Sequence, residues 1–119
     1  MELVQEKAPL RFAWGDVTFL VKPQTTSGDK FEIDMAGRPV GNTGQVEFSP
    51  AEFYRTLVRQ FVVGWEGVTS EGKPVPYSYE NLMRLPAQSG DDVVIRLGIF
   101  IVENTDVTGG KGEAALKNA

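Results

Sequence analysis

The chain has 119 residues, of which 41% are hydrophobic and 24% charged, the size and make-up of one folded domain. Its net charge of −4 argues against a nucleic-acid partner, because neutralising phosphates takes a concentrated basic surface, and it does not favour anionic membranes. Cysteine and histidine are both absent, which removes disulfides, thiolate nucleophiles, histidine general bases and the usual zinc and iron–sulfur sites.

The first residues, MELVQEK, show no basic segment followed by an apolar one, so no signal peptide is expected there. The longest uncharged apolar stretch, Leu97–Val102, is too short to span a bilayer, and a soluble cytoplasmic protein is the expectation. Residues 10 to 48 read as strands. LRFAW and VTFLVKP flank Gly15-Asp16, a two-residue turn signal best suited to type II′. PQTTSGD reads as a loop. KFEIDMA (Lys30–Ala36) alternates, with Phe31, Ile33 and Met35 against Glu32 and Asp34, and predicts a half-buried third strand. GRPVGNTG reads as a second loop, and QVEF (Gln45–Phe48) as a short fourth strand.

Ser49-Pro50-Ala51-Glu52 then announces a helix. Serine caps, proline takes the first helical position, and glutamate three residues on predicts a capping box. Phe53, Leu57, Phe61 and Trp65 recur every fourth residue, Val58 and Val62 widen the stripe, and Glu52, Arg55, Arg59 and Gln60 make the opposite face. Gly64 is placed to end the helix, so Trp65 is expected just past its end, folded back over the core. Phe53, Leu57, Phe61 and Trp65 are therefore expected as structural anchors. TSEGKPVP reads as an exposed turn, and Ser78 caps a short helix that stops before Pro86. DDVVIRLGIFIVENTD is rich in β-branched residues, as a strand would be. Two leading acids and some twelve residues before the next break favour a helix instead. The expectation is an α+β domain over residues 1–107. A small antiparallel sheet (about 10–48) packs on two or three helices (about 50–63, 79–84 and 91–104), and a flexible tail follows at 108–119.

No catalytic, cofactor or metal residues are expected. Asp91-Asp92 reads as a solvated helix start, and Asp29, Glu32 and Asp34 as a wet strand face. Gly109-Gly110-Lys111-Gly112 lacks phosphate-loop spacing. Arg55 and Arg59 lie one turn apart on a polar face, which is either merely solvated or a surface for an acidic partner segment. Arg96 interrupts an apolar segment, so it must snorkel, pair with an acid such as Glu66, Glu71 or Glu80, or sit at an interface. Val93–Val102 carries more apolar surface than one helix in so small a domain need bury. Arg96, Leu97, Phe100 and Ile101 therefore join Arg55 and Arg59 as candidate partner-binding residues, and the surplus could equally serve self-association.

Residues 53 to 85, FYRTLVRQFVVGWEGVTSEGKPVPYSYENLMRL, resemble the tail assembly chaperones encoded in bacteriophage tail gene clusters. The likeness lies in Val63-Gly64-Trp65-Glu66-Gly67-Val68, the turn Glu71-Gly72-Lys73-Pro74-Val75-Pro76, and Tyr77-Ser78-Tyr79-Glu80-Asn81-Leu82. It covers about a third of the chain, and the β-branched last helix departs from the pattern. The resemblance implies a non-enzymatic protein of the host cytoplasm. Such a protein assists tail assembly by transient binding to the tape-measure protein or tail tube subunits, is absent from the finished virion, and is often also made in a frameshifted longer form. The alternatives are a structural virion component, such as a minor tail or head–tail joining protein, and a small effector that binds and blocks a host protein.

Overall fold

A computed structural model describes residues 1–42, 45–47 and 49–107. Strands β1 (Leu10–Trp14) and β2 (Val17–Val21) form a hairpin, and β5 (Val62–Glu66) pairs antiparallel on the far side of β2, giving the sheet order β1-β2-β5. The hairpin turn is Gly15-Asp16. Gly15 has φ +58° and Asp16 lies outside the positive-φ region, the sign pattern of a type II′ turn. Helices α1 (Ser27–Ala36), α2 (Pro50–Phe61), α3 (Tyr79–Leu82) and α4 (Val93–Asn104) complete the α+β fold, with short ribbons β3–β4 (Arg38–Val40, Gln45–Glu47) and β6–β7 (Thr69–Ser70, Lys73–Pro74). The tail expected over 108–119 and Phe48 of the QVEF strand lie outside the described residues.

One face of the sheet supplies Trp14, Val17, Phe19, Val21 and Val62 to the core. Leu57, Val58 and Phe61 of α2 and Leu97 and Ile101 of α4 meet them, all fully buried. The helices α2 and α4 approach closely because Gly98 has no side chain. A β-carbon there would stand 2.3 Å from the ring of Tyr54.

Three expectations are corrected. KFEIDMA is not a strand but most of α1. Thr26 caps it with Asp29 in a reciprocal capping box: Thr26 Oγ1 accepts from the Asp29 N–H at 3.2 Å, and Asp29 Oδ2 from the Thr26 N–H at 2.9 Å. Lys30 and Asp34 pair at 2.9 Å one turn apart. The alternating trio is thereby split. Ile33 is buried, whereas Phe31 and Met35 point to solvent, 60% and 66% exposed. Second, GRPVGNTG is not all loop, since Arg38–Val40 pairs with Gln45–Glu47. Third, α2 ends at Phe61 and not at Gly64; Val62-Val63, both β-branched, open a strand.

That strand carries a bulge. Val21 pairs with Val62 and Leu20 with Gly64, so Val63 is an extra residue opposite the Leu20–Val21 step. Val62 and Trp65 consequently both face the core side, while Val63 is exposed. Gly64 lies against Leu20 in the sheet.

Asp29 is 4% exposed and receives Lys22 Nζ at 2.5 Å. The Lys22 ammonium also sits 5.4 Å from the centroid of the Phe61 ring. This pair ties the end of β2 to the first turn of α1. Asp29→Ala removes a cap and strands a half-buried cation, and an expected loss of about 2–3 kcal/mol follows. Asp29→Asn, which can still accept from Thr26, is expected to lose less. Urea unfolding of both variants measures the difference.

Candidate functional site

The first turns of α2 and α4, with α3 and the segment after it, enclose an apolar groove of about 570 Å³. Each wall has a local cause. Ser49 Oγ accepts from the Glu52 N–H at 3.2 Å and Pro50 opens α2, which sets Ala51 and Tyr54 on one side. The Glu52 carboxylate does not complete the expected capping box; it pairs with Arg55 at 2.7 Å instead. Asp92 caps α4, its Oδ1 accepting from the Val94 N–H at 2.9 Å and the Ile95 N–H at 3.3 Å, and sets Val94 and Ile95 on the opposite side. Leu82, Met83 and Leu85 also line it, and Trp14 contributes from β1.

Asp91 joins the groove to the sheet. Its Oδ2 accepts from Trp14 Nε1 at 3.2 Å and its Oδ1 from Arg96 Nε at 2.8 Å. Arg96 thus finds an acid five residues before it, not Glu66, Glu71 or Glu80; Glu66 pairs with Arg11. Of the six candidate partner-binding residues, Arg55 lines the groove and Arg96 stands beside it through Asp91. The guanidinium of Arg59 instead lies 4.7 Å from the centroid of the Tyr79 ring, fastening α3 to α2. Leu97 and Ile101 are corrected: both are fully buried, because they point from α4 onto the core, and neither offers a surface. Phe100 is half-buried, 5.0 Å from the Phe12 ring. The surplus apolar surface of α4 falls on Ile95 and Ile99, 45% and 39% exposed, which sequence reasoning did not single out. Helical spacing from the capping Asp92 places both on the face away from Leu97 and Ile101.

The anchor residues sit as follows. Phe53, Leu57 and Phe61 are buried on α2. Trp65 is partly buried; its ring lies 6.1 Å from Phe19 and 5.2 Å, edge to face, from Tyr77. Its Nε1 donates to the Val75 carbonyl at 2.8 Å. The indole therefore pins the segment after the β6–β7 ribbon to the sheet, acting from a strand and not from a helix end.

Tyr77, its neighbour, has a buried hydroxyl with no hydrogen-bond partner among the described residues. Burial, helped by Tyr79, pushes its pKa from 10.0 up to about 12. The unfolded chain gives up this proton near pH 10, while the folded chain holds it to about pH 12, so stability falls as pH rises through that window. Tyr77→Phe is expected to be about 1 kcal/mol more stable at neutral pH, since it deletes an unpaired polar group. Its advantage is expected to widen between pH 10 and 12, read from urea midpoints of the two proteins side by side.

Among the described residues, no three acidic side chains gather as a metal site would require, and no helix is long and apolar enough to cross a membrane. No family model, curated protein or solved structure matches this chain.

Proposed function

We propose that this chain is a non-enzymatic assembly factor of a phage tail, holding an apolar helical segment of the tape-measure protein in the groove between α2 and α4. The groove carries this reading. Apolar side chains of two helices line it, Arg55 and Asp91 at its margins can orient a polar flank, and its size suits one face of an amphipathic helix. The resemblance of residues 53–85 to tail assembly chaperones supplies the partner class. The acidic balance favours solubility of the complex.

Co-expression with the tape-measure protein of the same gene cluster tests it. The tape-measure protein is expected to be several-fold more soluble with the wild-type chain than alone. Ala51→Trp, which fills the groove from an exposed position, is expected to remove the benefit. Equal solubility of the tape-measure protein without this chain would overturn the proposal. A structural virion role is the second reading, favoured by β1, which pairs only with β2 among the described residues and so offers an edge to a neighbour. Mass spectrometry of purified particles separates the two, because a transient factor is missing from them.

A further inference from the structure

We propose that the outward face of α4 is a self-association surface, on which a second copy of this chain lies antiparallel across Ile95 and Ile99. These two side chains are one turn apart and 45% and 39% exposed, on a helix whose other face is buried under the core. Arg96 and Glu103 share that outward face, two turns apart, and both are exposed. Arg96 spends only its Nε on Asp91, and Glu103 has no partner among the described residues.

The order of charges selects the orientation. A two-fold axis close to Ile99 stacks that residue on the partner's Ile99 and brings Arg96 towards the partner's Glu103, once in each direction. A parallel copy would set Arg96 on the partner's Arg96, like against like. The other exposed apolar stripe, Phe31 and Met35 on α1, has no such selecting pattern. There Lys30 and Asp34 already pair with each other, and Glu32 would repel its own copy. One three-turn helix face buries well under the ~1,200 Å² of a stable complex, so the association is weak, with a dissociation constant of ~10 μM or above. Ile95 also borders the groove, but the readout involves no client, so the proposal and the tape-measure reading can fail separately.

Sedimentation equilibrium of the full chain at low salt, from ~10 μM to ~1 mM, tests it. The weight-average mass is expected to climb towards twice that of the monomer. Ile99→Ser is expected to hold the protein monomeric. Arg96→Glu and Glu103→Arg are each expected to weaken association by ~5-fold or more, and the double variant to recover most of it. A mass that stays at the monomer throughout, or a double variant no more associated than the singles, would overturn the proposal. All three substituted positions are exposed, and thermal melts confirm that each of the four variants is folded.

Discussion

Gly67→Ala is expected to be among the most damaging single substitutions in this chain, with a loss of about 4 kcal/mol. Two costs add. Gly67 has φ +94°, beyond the left-handed region that alanine tolerates. A β-carbon there would also stand 2.2 Å from the carbonyl oxygen of Asp16, and backbone cannot step aside as a flexible side chain can. The residue follows β5 where the chain passes the β1–β2 turn, so relief of the clash must move that hairpin. Gly72→Ala provides the comparison. Its φ is +78° but nothing lies within 4 Å, and the strain alone is expected to cost about 1 kcal/mol. Thermal or urea unfolding of the two variants separates strain from contact. Similar losses for both would show that the close approach to Asp16 matters little.

Phe61→Ala is expected to cost about 4 kcal/mol, a large share of the 5–15 kcal/mol that keeps a domain of this size folded. The ring is fully buried where α2 gives way to β5. It packs in the core between α2, the sheet and α4, and it faces the Lys22 ammonium. Its backbone carbonyl accepts from the Lys22 N–H at 2.9 Å, a bond that the substitution leaves intact. The loss therefore measures transfer of the ring, its contact with the Lys22 ammonium and the cavity it leaves. Phe61→Leu, which refills most of that space, is expected to lose under half as much. Denaturant midpoints at unchanged slope would confirm that the native state, not the unfolded one, has changed.

Much of the architecture could be read from residues 49 to 104, and the reasons are local. Ser49-Pro50 starts α2 as the sequence indicates, Ser78 caps α3, and Asp92 decides α4 for helix against its β-branched content. Helix α1 was misread because its alternating apolar residues have the period of a strand. The decisive sign was Thr26-Ser27-Gly28-Asp29, a capping box with aspartate at its third helical position, which stood in what looked like loop. The groove was less legible. Its walls come from four elements scattered between Trp14 and Ile95, brought together only by packing. Arg55 could be singled out because a helix wheel sorts polar from apolar faces. Leu97 and Ile101 were offered as surface from the apolar surplus of Val93–Val102 as a whole, and a surplus does not say which arc of the helix meets the core. The fourfold spacing that ran from Phe53 to Trp65 continued across a helix end, so the indole was expected on the correct side of the core but on the wrong kind of element.

The bulge at Val63 has a bearing on how this chain could vary. Removing one residue from a strand ordinarily inverts every side chain beyond the gap, sending apolar groups into water. Here Val62, Gly64 and Trp65 already alternate correctly once Val63 is set aside, so its deletion would leave a regular ladder with each inward group still inward. The strand holds a spare residue at the one place where shortening is tolerable, and length variation among chains that share this fold should gather there.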